Sequence, residues 1–141
     1  LNLSPPLDFD VKWFSNHPAY TLAKYSMSVY AWAMADEFRD KGIAFNCLWP
    51  RTGIATAAIA NVLGGEEGMK RCRKPEIMGD AAHAILNRPS RTCTGNFFID
   101  DEVLASEGVT DLDKYAYAPG TPLMPDFFVP APGARTVVGR G

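Results

Sequence analysis

The sequence predicts an α/β protein, a parallel sheet with helices on its faces. Short apolar runs of strand length occur at 1–4, 43–49 and 95–100, and segments of helical periodicity fall between them and after them. That strict alternation of strand and helix is the third observation, and it is the pattern of βαβ units. At 141 residues, 47% hydrophobic and 21% charged, the composition is that of one soluble globular domain. We place that domain at residues 1–116, with an extended Pro/Gly-rich tail over 117–141.

Each element follows from a local signal. "LNLS" reads as the end of a buried strand, stopped by Pro5 and Pro6. Residues 8–18 form a loop in which Trp13 and Phe14 are expected to pack. A long helix follows over about 19–39, closed by Lys41-Gly42. Ala23, Met27, Tyr30, Met34 and Phe38 recur along it at three- and four-residue spacing and predict its buried stripe. Ala31, Trp32 and Ala35 widen the apolar surface. "IAFNCLW", ended by Pro50, predicts a strand buried on both faces. "TGIATAAIANVLGG" predicts a loop and a short helix closed by Gly64-Gly65. "KPEIMGDAAHAILN" predicts a helix with Pro75 in its first turn and Ile77, Ala81, Ala84 and Ile85 facing inward. "GNFFID" predicts a third strand, and "DDEVLASEGV" a brief acidic helix.

Composition also excludes functions. A net charge of -2 argues against nucleic acid and anionic membrane as partners, and the basic cluster "KRCRK" at 70–74 reads as a solvated loop. No apolar run reaches bilayer length. The three cysteines, Cys47, Cys72 and Cys93, lack CxxC or Cys/His spacing, so no metal site is expected and a reduced, cytoplasmic setting is. His17 and His83 have no partner at ligand or triad spacing and read as structural or surface residues.

In an open parallel sheet, ligands sit outside the carboxyl ends of the strands. That rule puts Ser4 and Pro50-Arg51-Thr52 on one rim. Tyr20 and Lys24, four residues apart, share a helix face within side-chain reach. A phenol with a reference pKa of about 10 is a poor acid or base at neutral pH. A neighbouring ammonium favours the phenolate and makes it usable in proton transfer. Plainer readings stand beside this one. Ser4 can simply end a strand, Pro50 can terminate the next, and Thr52 and Thr56 can be turn and capping residues.

Several blocks in order give a more specific signal. They are Ser4 after a strand, Tyr20-x-x-x-Lys24 opening a long helix, Asn46-x-x-x-Pro50 ending the next strand, "RTGIAT", "TGNFFID" and "PDFF". From residue 1 to about 130 the chain resembles the carboxyl half of a short-chain dehydrogenase/reductase. The resemblance implies the C-terminal half of a Rossmann-type doubly wound parallel sheet with helices on both faces. It implies NAD or NADP as cofactor and a small-molecule alcohol or carbonyl as substrate. Tyr20 would transfer the substrate proton. Lys24 would tune Tyr20 and hold the cofactor ribose, and Ser4 would bind the substrate carbonyl. Tyr20, Lys24, Pro50, Thr52, Ile54 and Thr56 would contact the cofactor, with residues 52–73 as a substrate lid. Arg51 stands where the family has glycine, and its role is open. The resemblance also implies a homodimer or tetramer paired through the long helix.

The glycine-rich turn that cradles a dinucleotide pyrophosphate is not in this sequence. The chain opens on Leu1 inside an apolar run. It therefore reads as part of a longer oxidoreductase and is not expected to be active alone. The rival expectation is an inactive half-fold that serves as an assembly or binding module.

Overall fold

The computed structural model describes residues 1–129, which divide into two units. The first contains residues 1–49, 88–98 and 127–129; the second contains 50–87 and 99–126. Along the chain lie α1 (Lys12–Ser15), α2 (Pro18–Glu37), β1 (Cys47–Trp49), a π-helical segment (Ile59–Leu63), α3 (Gly65–Lys70), α4 (Glu76–Leu86), β2 (Phe97–Ile99), α5 (Asp100–Ser106) and a 3₁₀ turn (Asp113–Tyr115).

In the first unit β1 pairs with β2 in a small parallel sheet, and Asn2 makes a parallel bridge to Cys47 on the other side. Successive amides of β1 alternate between these neighbours. Cys47 N–H donates to Asn96 O at 2.8 Å, and Leu48 N–H donates to Asn2 O at 2.9 Å. All three residues of β1 are buried, as its apolar run predicts. The pairing is shorter than the sequence suggests: the run at 43–49 is strand only over Cys47–Trp49, and the predicted strand at 1–4 contributes a single bridge at Asn2.

Helix α2 begins at Pro18, whose fixed φ suits the first turn. Gly42, at φ +70°, takes the left-handed conformation that turns the chain after it. The helix buries a different stripe from the one predicted: Thr21, Tyr25, Ser28, Ala31 and Ala35. Met27 and Tyr30 are exposed, and Met34 and Phe38 are half-buried. Residue size explains the correction. Apolar residues occur on every side of α2, so hydrophobicity does not select a face, whereas close approach to the strands does. A Cβ on Gly95 would lie 3.5 Å from that of Ala35. Ser28 Oγ donates to Pro5 O at 2.6 Å.

The second unit is held by backbone bridges between Thr52 and Pro125, Ile54 and Arg73, and Arg73 and Ala116. Ala55, Ile59 and Cys72 form one small core with Met69 and Met124 against it. Helix α4 packs on α5, burying Ile77, Ala81 and Ile85 against a partner that buries Val103 and Leu104. Ala84, predicted inward, is half-buried. Gly64 ends the π-helical segment, and Gly65 then opens α3, a helix not anticipated from the glycine doublet. Of the predicted tail, residues 117–126 cluster with this unit and 127–129 with the first; residues 130–141 lie outside the described residues.

The close seating of α2 has a measurable consequence. Ala35→Leu forces extra methylenes into a filled contact and is expected to cost about 1–3 kcal/mol. A lowered denaturation midpoint in urea checks it. An unchanged midpoint would mean that α2 has room to spare.

Candidate active site

His17 is the N-cap of α2, so Tyr20 stands in the first turn and Lys24 in the second. Tyr20 is 45% exposed. Its ring stacks on Phe128 with centroids 6.0 Å apart and meets Phe127 edge-on at 6.4 Å. Lys24 Nζ donates to Leu3 O at 3.3 Å and lies 5.3 Å from the centre of the Trp49 ring. The helix thus presents the phenol at its start and the ammonium one turn on, over the ends of the strands. Ser4 is placed differently. It is 0% exposed, and its Oγ has no hydrogen-bond partner of good geometry. The nearby Cys47 thiol is pushed up by burial, a shift that the hydroxyls of Ser4 and Ser28 oppose.

The loop before α2 is tied down by polar contacts. Tyr25, buried in the helix, donates its phenol to Asp8 O at 2.5 Å and accepts the Asp8 N–H at 3.3 Å. Burial pushes its pKa up to about 12. Trp13 Nε1 donates to Asp8 Oδ2 at 2.8 Å, and Thr21 Oγ1 donates to Trp13 O. These bonds hold Trp13 beside a cavity of about 230 Å³ that Tyr20, His17, Phe127 and Phe128 also line. Trp49 Nε1 donates to Phe127 O at 2.7 Å. Phe128 is buried at φ +63°, a conformation that costs a bulky residue about 1–3 kcal/mol. Its rings against Trp13, Tyr25 and Trp49, at 5.4, 5.2 and 6.0 Å, hold it there.

Phe127 and Phe128 are residues to which sequence reasoning gave no role in the site. Their signal was the "PDFF" block, an aromatic pair standing in a stretch whose Pro/Gly content reads as tail.

The residues expected along a cofactor lie in the second unit. Pro50, Gly53 and Thr52 are buried, Ile54 is half-buried and Thr56 is exposed. Thr52 Oγ1 is buried without a hydrogen-bond partner. Arg51, whose role was open, is committed to the first turn of α5. Its amide donates to Asp100 Oδ1 at 2.9 Å, its Nε donates to Asp101 Oδ2 at 2.6 Å, and its Nη2 donates to Glu102. Burial works against its charge, but the bonds to Asp101 and Glu102 outweigh burial and raise its pKa. Asp100 is fully buried. Burial raises its pKa despite the two amides, of Arg51 and Asp101, that favour the carboxylate. The three acidic residues also suit the positive end of α5. Among the described residues, no cluster of His, Cys, Asp and Glu gathers to hold a metal ion.

The fold is shared with solved dehydrogenases. The crystal structure of a short chain dehydrogenase from Mycobacterium thermoresistibile matches with a TM-score of 0.81 and 48% identity, over 98% of this chain and 49% of its own. A Xanthomonas campestris structure matches with a TM-score of 0.86 and 50% identity, over 92% of this chain and 47% of its own. The curated relatives are more particular. Hydroxysteroid dehydrogenase-like protein 2 of Xenopus laevis is 56% identical over 129 residues, which are 92% of this chain and 30% of that protein. The protein of that name in Homo sapiens is 50% identical over the same share of each. The chain is thus a homologue of these proteins and spans about half the length of its solved relatives and 30% of the curated ones. No family model matches the sequence.

Asp100 makes stability depend on pH. Its folded-state pKa is raised, so the folded chain binds the proton more tightly than the unfolded one. The free energy of unfolding therefore falls as pH rises from the ordinary 3.8 through the raised value. Asp100→Asn should flatten that slope, read from urea midpoints at a series of pH values from about 4 to 7. A slope as steep as wild type would assign the dependence to another group.

Proposed function

We propose that this chain carries the proton-transfer half of an NAD- or NADP-dependent oxidoreductase of the short-chain type. The reaction interconverts a small-molecule alcohol and a carbonyl compound. The observation that carries the reading is the placement of Tyr20 and Lys24 on successive turns at the start of α2, with Tyr20 bordering an open cavity. In the oxidative direction the Tyr20 phenolate accepts the alcohol proton; in the reductive direction the phenol returns it to the carbonyl oxygen. Lys24 and the positive end of α2 both favour charge on that phenolate. When bound, the nicotinamide accepts or supplies the hydride.

The residues present suit such a cofactor. The unpartnered hydroxyl of Thr52 is a buried donor without an acceptor, as a ligand oxygen would require. In this proposal Pro50, Thr52, Ile54 and Thr56 line the dinucleotide, and Lys24 holds its ribose hydroxyls. Residues 52–73 cover the substrate. The enclosed hydroxyl of Ser4 does not support the carbonyl-binding role that the resemblance implied. Free cysteines favour a reduced, cytoplasmic setting, and no helix among the described residues is long and apolar enough to cross a membrane.

A pairing role is supported by a separate observation. Leu22 and Val29 are exposed on one face of α2, with Tyr30 and Trp32 exposed on its flanks. Self-association through α2 into a dimer or tetramer would cover them, and sedimentation of the Val29→Glu variant reads it directly.

In the full-length gene product, Tyr20→Phe should lower kcat by about 10²–10⁴, a far larger effect than on nucleotide affinity. The measurement is nicotinamide absorbance with a panel of secondary alcohols and ketones. Full activity in Tyr20→Phe, or failure of the wild type to bind either nucleotide, would overturn the proposal.

A further inference from the structure

Resting on the reading of Tyr20 as the proton carrier, the cavity beside it supports a more specific statement about what binds there. Four aromatic rings line it, those of Trp13, Tyr20, Phe127 and Phe128, beside the polar Lys12, Asn16, His17 and Thr21. Flat apolar rings are what such walls complement best. At about 230 Å³ it lies below the roughly 300–1,000 Å³ of sites for drug-sized ligands, which leaves room for one or two rings.

The polar groups on the cavity narrow the choice further. Thr21 gives its hydroxyl to Trp13 O, and Trp13 gives its indole N–H to Asp8. Lys12 is paired with Asp10 at 3.2 Å and covers the Trp13 ring at 4.7 Å, so its charge is already matched. A wall with its cation neutralised does not favour an anionic substrate. The imidazole of His17 makes no hydrogen bond or ion pair to another described residue; its contact is an edge-to-face one with Phe127 at 5.5 Å. Tyr20 meets the same Phe127 ring at 6.4 Å. As N-cap and third helical residue, His17 and Tyr20 stand three apart on one face of α2. Both can therefore reach a ligand atom seated at the edge of Phe127. The other hydroxyl proposed for the carbonyl, Ser4, is shut away from solvent.

We infer that His17 is a substrate-binding residue that donates a hydrogen bond to the oxygen of a one- or two-ring apolar ketone, or of its secondary alcohol, whose rings lie among Trp13, Phe127 and Phe128. A neutral imidazole has one N–H to donate and can serve a carbonyl as well as a hydroxyl. The strained Phe128 backbone is consistent with a wall that is held in place ahead of the ligand.

The test uses the bicyclic aryl ketone α-tetralone and the full-length gene product. Binding is read by saturation-transfer NMR and calorimetry, neither of which requires turnover. Wild type should bind α-tetralone saturably. His17→Phe should weaken binding tenfold or more, and His17→Gln, which keeps a donor, should stay within threefold of wild type. Circular dichroism confirms that each variant is folded, and the glutamine variant decides the matter if the phenylalanine one is not. No saturable binding by wild type, or equal affinity in His17→Phe, overturns the inference. Loss of the proton-transfer reading is a separate result. It would appear as an active Tyr20→Phe enzyme whose α-tetralone affinity still depends on residue 17.

Discussion

The first unit depends on how closely α2 lies against the strands. Ser28, Ala31 and Ala35 are small enough to let the helix backbone approach, and Tyr25 is the one large residue on that face. Ser28 bonds to Pro5 O and Asn2 Nδ2 to Met27 O, so polar contacts fix the helix at the point of approach. Everything proposed for Tyr20 and Lys24 follows from this seating. With the buried face set by small residues, Lys24 falls over the strand ends and Tyr20 falls at the open edge. A helix seated on its larger apolar residues would turn both away.

The aromatic cluster is the second organising feature. Phe128 touches Trp13, Tyr20, Tyr25 and Trp49 with its ring, linking the loop before α2, the helix and β1. Its left-handed backbone is tolerated because so many contacts hold it. Within the second unit the corresponding role falls to charge. Arg51 joins the segment after β1 to the first turn of α5, and Asp101 lies 3.8 Å from Arg73 as well. Arg51 is half-buried, and removing it would leave Asp101 with only the more distant Arg73 as counter-charge. It therefore reads as an anchor for the segment that carries Thr52, not as a group reserved for a ligand.

Much of this was legible along the chain. The order of α2, β1, α4, β2 and α5, the start of α2 at a proline, the burial of β1 and the inward residues Ile77, Ala81 and Ile85 all follow from local periodicity and from Pro and Gly. So does the placing of Tyr20 and Lys24 on successive turns of α2, because a four-residue interval in a helix determines a shared face whatever the rest of the fold does.

Other features were decided only in three dimensions. Which face of α2 is buried could not be read from hydrophobicity, since Met27, Tyr30 and Ala31 all qualify and only the spacing to the strands chooses among them. The burial of Ser4 depends on what Cys47 and Ser28 bring to it from 24 and more residues away. Phe127 and Phe128 reach the Tyr20 cavity from beyond residue 125, where composition suggests only a tail. Local sequence determines what repeats within a few residues. Packing between distant segments determines which side of each element meets solvent, and that choice gives Tyr20 an open cavity and Ser4 a closed one.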